Sequence, residues 1–139
     1  MRTILIAQRN ISFSNQLATE LRDAGYHVID CPGPWPPAER CIRCDVGYYP
    51  LTEGADLMIY DPFLTALDDK GHRYNLAVDS ARAHPDIPML LAWPSDEVPD
   101  AGTLRAIRAD APQVHVAAHD RNARLAQIHA LLEKSPVTP

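Results

Sequence analysis

Five short apolar runs recur along the chain, and they alternate with stretches whose apolar residues repeat at helical spacing. Strands too short to bury themselves, each followed by a helix, stack as a parallel sheet with helices on its faces. The first run, Thr3 to Ala7 (TILIA), leads into Leu17, Leu21 and Ala24 on one helical face. Ser12 or Ser14 is the expected N-cap of that helix and Gly25 its stop. Tyr26 to Asp30 (YHVID) alternates as a second strand.

The third strand is Ala55 to Tyr60 (ADLMIY), after which Tyr74, Ala77, Val78 and Ala81 recur at i, i+3, i+4 and i+7. Pro88 to Trp93 (PMLLAW) reads as the fourth strand, followed by a helix capped by Asp100 and lined by Leu104, Ile107 and Ala111. Val114 to Ala118 (VHVAA) is the fifth, and Asp120 caps a last helix that carries Leu125, Ile128 and Leu132 inward and ends near Lys134. The expectation is an α/β, flavodoxin-like three-layer sandwich with a five-stranded parallel sheet in the order 2-1-3-4-5. At 139 residues, 46% apolar and 22% charged, the chain fits one domain over residues 1–134, with a flexible tail at 135–139.

The second helix of this fold has no counterpart. In its place stands CPGPWPPAERCIRCD, Cys31 to Asp45, which holds all three cysteines and four of the thirteen prolines. Proline removes backbone donors and fixes φ, so this Cys/Pro-rich insertion, taken as residues 31–54, continues neither a ladder nor a helix. Cys41 and Cys44 form a C-x₂-C pair, the spacing by which two thiolates converge on one metal, with Cys31 as a third ligand. A fourth can come from Asp45, Asp30, His27 or His72, from a partner chain, or be absent in a three-cysteine iron–sulfur cluster. Three readings stay open: a zinc or iron–sulfur site, a redox pair favoured by the neighbouring Arg40 and Arg43, or cysteines packed as small hydrophobes beside Trp35, Tyr48 and Tyr49.

In a sheet of this order a ligand crevice opens at the carboxyl ends of strands one and three. Those ends are Gln8-Arg9-Asn10 and Asp61-Pro62, so topology alone selects Gln8, Arg9, Asn10 and Asp61 as a ligand or switch site. An arginine beside an aspartate holds it as the carboxylate, and Arg9 is the cation in reach of Asp61. The histidines are scattered, the six glycines never form G-x-G, and no Ser-His-Asp or Cys-His order places a nucleophile on an elbow. A net charge of −5 offers no basic surface for nucleic acid or anionic membrane, and the apolar run near Met1 is too short for a secretory signal or a membrane span. A cytoplasmic protein is expected.

LMIYDP, Gly71, IPMLLAW with its Ile-Pro entry, and VHVAAHD together resemble the response-regulator receiver family over most of the chain. The resemblance implies a signalling domain with Asp61 at the position of the phosphorylated aspartate. It also implies an acidic pair after strand one for Mg²⁺, a Ser or Thr after strand four and a Lys after strand five. Here Gln8-Arg9-Asn10, Ala92-Trp93 and Ala118-His119 stand at those positions. Mg²⁺ is therefore not expected, and the chain reads as a degenerate, non-enzymatic pseudo-receiver working through a protein partner or self-association. A looser similarity, GADLMIYDP followed by Asp68 and Gly71, points to nucleoside deoxyribosyltransferases, whose catalytic Glu would have only Asp79 to stand for it.

Overall fold

In the computed structural model the described residues are 2–31, 54–67, 70–109 and 111–134. The elements are β1 (Thr3–Ala7), α1 (Ile11–Asp23), β2 (His27–Cys31), β3 (Leu57–Tyr60), β4 (Thr65–Leu67), β5 (Arg73–Asn75), α2 (Leu76–Ala83), β6 (Met89–Leu91), α3 (Ala101–Arg108), β7 (Val114–Val116) and α4 (Arg121–Lys134). Five strands form one parallel sheet in the order β2-β1-β3-β6-β7. This is the 2-1-3-4-5 order that the apolar runs imply, with β4 and β5 outside the sheet.

Alternation along the strands builds the three layers. Leu5, Met58, Tyr60, Met89 and Leu91 project to the face covered by α2 and α3, where Ala77, Ala81 and Ile107 meet them. Ile4, Ile6, Leu57, Ile59 and Leu90 project to the other face and pack on Phe13, Leu17 and Leu21 of α1 and Ile128 and Leu132 of α4. These strand residues are fully removed from solvent. Each buried Leu or Ile contributes about 1.5–3 kcal/mol, so the sheet is the main source of stability.

The helix ends follow local chemistry, with one correction. The N-cap of α1 is Asn10, whose Oδ1 accepts from Phe13 N at 2.9 Å. Ser12 and Ser14 lie inside the helix, and Ser14 Oγ donates instead to Asp30 Oδ1 at 2.8 Å. The earlier cap prevails because Asn10 has the extended backbone a cap requires. Gly25 ends α1 as expected: at φ +96 it lets its own N–H reach Arg22 O and Tyr26 N–H reach Leu21 O, the paired bonds of a Schellman motif. Asp100 caps α3 through Gly102 N and Thr103 N, and Asp120 caps α4 through Ala123 N at 2.8 Å.

A second correction concerns the segment after β3. Tyr74 is not on the helix; it lies on β5, which pairs antiparallel with β4 in the register Ala66↔Tyr74, and Asn75 caps α2. Three-residue strands show too little alternation to be read, and Tyr74 happened to continue the helical spacing. Gly71 at φ +79 serves the hairpin turn. The hairpin is anchored by Leu76 N–H to Leu64 O and by Asn75 Nδ2, which donates to Pro62 O at 2.9 Å. It thereby fixes the chain that leaves Asp61. Cys41, Cys44, Asp45, Asp68 and the tail 135–139 fall outside the described residues, as do the contacts of the Cys31 side chain.

Candidate functional site at the carboxyl rim

The register sets which residues meet. Ala7 lies between Cys31 of β2 and Tyr60 of β3, so β1, β2 and β3 all end at one level and the residues that follow share a rim. Asp61 N–H continues the ladder by donating to Ala7 O at 2.9 Å. Its carboxylate is completely buried.

A buried carboxylate is tolerable only when it is paired and hydrogen-bonded, and Asp61 is both. Oδ2 accepts from Arg9 Nε at 2.7 Å and from Arg9 N at 3.1 Å, while Oδ1 accepts from Phe63 N at 2.8 Å. Three donors, one of them cationic, thus close on the two oxygens. The Arg9 guanidinium lies over the Phe63 ring, 4.7 Å from its centroid, and its Nη2 donates to Glu97 Oε2 at 2.8 Å. One side chain joins the end of β1, the end of β3 and the segment between β6 and α3. The side chain is 43% exposed, so it caps the rim as well as filling it.

The other two residues selected from the sequence do different work. Gln8 turns inward, buried, and donates from Nε2 to Ala92 O at 3.1 Å, linking β1 to β6; its Oε1 has no partner among the described residues. Asn10 is the helix cap already described and makes no bond to Asp61. Glu97 and Phe63 complete the cluster. The sequence gives no periodic signal for either, because both lie in connections. Asp79 is exposed on α2 and belongs to no hydrogen bond of this cluster.

At the ends of β6 and β7, Trp93 and His119 meet edge to face with ring centroids 5.3 Å apart. Below them a second ionic group crosses the α1–α4 interface. Glu20 Oε2 accepts from Arg124 Nη2 at 3.0 Å, with both side chains nearly buried, and Arg121 Nε lies 3.3 Å from Glu20 Oε1. Among the described residues, no three His, Cys, Asp or Glu side chains gather as a metal site, and no helix is long and apolar enough to cross a membrane.

No family model matches the chain, and no curated protein is significantly similar to it. Solved structures are similar in fold. The signal receiver domain of a histidine kinase from Syntrophus aciditrophicus superposes with a TM-score of 0.66 at 18% identity, over 100% of this chain and 96% of that one. A response regulator receiver domain from Clostridium thermocellum gives 0.62 at 11% identity, over 96% of both chains. A pilus assembly-related protein from Burkholderia pseudomallei gives 0.63 at 22% identity, over 100% of this chain and 95% of that one. The chain has the receiver-like flavodoxin fold.

Proposed function

We propose that the chain is a receiver-like signalling domain that operates without phosphorylation, its rim held in one state by Arg9 and read by a protein partner or by a second copy of the chain. The observation that carries this reading is the closure of Asp61. An aspartate that attacks phosphorus needs an oxygen that the phosphoryl donor can reach and a metal cation to offset the gathering negative charge. Here the carboxylate is completely buried beneath Arg9, each oxygen already accepts from a donor, and the charge beside them is a guanidinium held by Glu97. Gln8 is engaged with Ala92 and Asn10 with α1, so neither supplies a carboxylate for Mg²⁺.

Incubation with acetyl phosphate and Mg²⁺, followed by intact-mass measurement, tests the proposal. The expected result is an unchanged mass and no spectral response to beryllofluoride. A phosphoryl adduct mapped to Asp61 overturns it.

A second reading adds a zinc, iron–sulfur or redox function through Cys31, Cys41 and Cys44. Its support is the C-x₂-C spacing and the register that ends β2 at Cys31, level with Ala7 on the rim that carries Asp61. Elemental analysis and thiol titration of protein purified without chelator, before and after Cys41→Ser and Cys44→Ser, test it. Absence of metal and of any thiol-dependent change ends that reading and leaves the first intact.

A further inference from the structure

We infer that Gln127 closes the open edge of the sheet by standing in for a strand, and that without it β7 pairs with the β7 of a second copy of the chain. β7 is the last strand in the order β2-β1-β3-β6-β7, so one of its sides has no neighbouring strand. The ladder on the other side fixes the direction of each backbone group. Gln113 O accepts from Met89 N and Ala117 N donates to Leu91 O, so Gln113, His115 and Ala117 turn their backbone groups toward β6. Val114, Val116 and Ala118 therefore turn theirs outward.

Gln127 reaches those outward groups from the second turn of α4. Its Nε2 donates to Val116 O at 2.9 Å, and its Oε1 accepts from Ala118 N at 2.8 Å. A carboxamide carries the same C=O and N–H as a peptide unit. In a parallel ladder one residue bonds the carbonyl of a facing residue and the N–H two positions on. The Gln127 side chain reproduces that pattern, in the place of one residue of a further strand opposite Ala117. The start of the edge is closed by the preceding turn, where Val114 N–H donates to Ala111 O at 3.1 Å.

The sequence of the strand gives an independent reason for such a closure. Open edges are ordinarily guarded by lysine, by other charges, by proline or by a bulge. Val114 to Ala118 (VHVAA) contains no Lys, Arg, Asp, Glu or Pro. The strand is only three residues long, which limits a ladder but leaves its outward donors and acceptors in place. Gln127 belongs to neither apolar core, so its side chain is engaged by the edge rather than by packing.

A second copy fits the edge because it presents the same groups. Aligned antiparallel about a two-fold axis, β7 meets β7 with Val116 opposite Val116, each N–H donating to the other's carbonyl. That carbonyl is the acceptor Gln127 holds, so the closed edge and the paired edge exclude each other. The pairing is isologous: it stops at a dimer with one continuous sheet. It does not pass through Asp61, and it holds whatever the state of the rim.

Sedimentation velocity of the parent, Gln127→Met and Gln127→Ala over a range of concentrations tests the inference, with near-UV circular dichroism to check folding. Methionine keeps the length and helix preference of glutamine while removing both bonds, and alanine removes them with the least bulk. Both variants should dimerise with a Kd at least about tenfold below that of the parent, and the Val116 amide should gain protection from hydrogen exchange on dimerisation. Val116→Pro deletes an N–H that faces away from β6, at an edge position where proline is tolerated. Added to either Gln127 variant, it should return association to the level of the parent, which a mere loosening of α4 would not do. Folded Gln127 variants that associate no more than the parent, or dimers that persist with Val116→Pro, overturn the inference.

Discussion

Replacing Arg9 by alanine isolates the interaction on which the rim depends. The substitution removes one charge-assisted hydrogen bond at 2.7 Å to a fully buried carboxylate, a contact of about 1.5–3 kcal/mol. It also removes the guanidinium over Phe63, about 0.5–1 kcal/mol at a partly exposed site, and an Arg9–Glu97 pair exposed enough to contribute a few tenths. The loss stays below the extreme for a stranded buried charge, because Arg9 N and Phe63 N still donate to Asp61. The expected cost is about 3 kcal/mol, or roughly 10 °C in Tm for a domain of this size. Urea unfolding of Arg9→Ala, Asp61→Asn and the double variant measures it. Asp61→Asn is itself destabilising, since an amide NH₂ cannot accept from two Arg9 donors, but in the double variant that conflict is eased. A coupling of at least about 1 kcal/mol is therefore expected between the two positions. Additivity within 0.5 kcal/mol, on the order of the error for independent sites, would refute the claim that Arg9 and Asp61 act as a unit.

The buried pair at the α1–α4 interface behaves differently. Glu20→Gln, which leaves Arg124 partly uncompensated, should cost about 3 kcal/mol in chemical denaturation, and the apolar double variant Glu20→Leu with Arg124→Met should cost less than that single change. The Asp100 carboxyl is held below its usual range by the Gly102 and Thr103 donors, so its stabilising effect is present above pH 4 and fades as the pH falls. Asp100→Asn, which keeps the cap, should leave neutral stability near that of the parent and flatten the acid limb of its pH profile; an unchanged limb contradicts this. Burial, and after it the charge of Glu133, pushes the Tyr26 phenol upward, so its contribution holds below pH 10 and disappears at higher pH. Tyr26→Phe also removes the hydrogen bond with His129 Nδ1, and should lower stability at pH 8 while weakening the alkaline dependence.

What could be read in advance was whatever depends on period and order. The five strands, their parallel order and the inward faces of the helices follow from runs such as LMIY and MLL, whose burial is continuous. Asp61 was legible because the sheet order fixes where strand three ends, and Arg9 because it is the cation at the neighbouring end. Glu97, Phe63 and the Glu20–Arg124 pair were not. The two ion pairs act across a large separation in sequence, 88 residues for Arg9 and Glu97 and 104 for Glu20 and Arg124, where no local pattern carries information, and Phe63 lies in a connection with no period. The β4–β5 hairpin was missed for the opposite reason: its strands are so short that Tyr74 fits the helix repeat equally well. The cap of α1 was misplaced because Asn10, Ser12 and Ser14 all have the chemistry of a cap, and only the backbone angle of Asn10 decides among them.

The central position of β1 bears on how the chain finds its fold. Ile4 pairs with Val28 on one side and with Leu57 on the other, so the first contact closes 24 residues and the second 53. By loop-closure entropy the nearer pairing is favoured first, and a β1–α1–β2 unit is the natural place for ordering to begin before β3 docks. The same logarithm makes the longer closure insensitive to its length: removing twenty residues from it would gain only about 0.4 kcal/mol. The number of residues between Cys31 and Leu57 therefore weighs little in the entropy of docking β3, so an insertion or deletion there changes the cost of closing this part of the sheet only slightly.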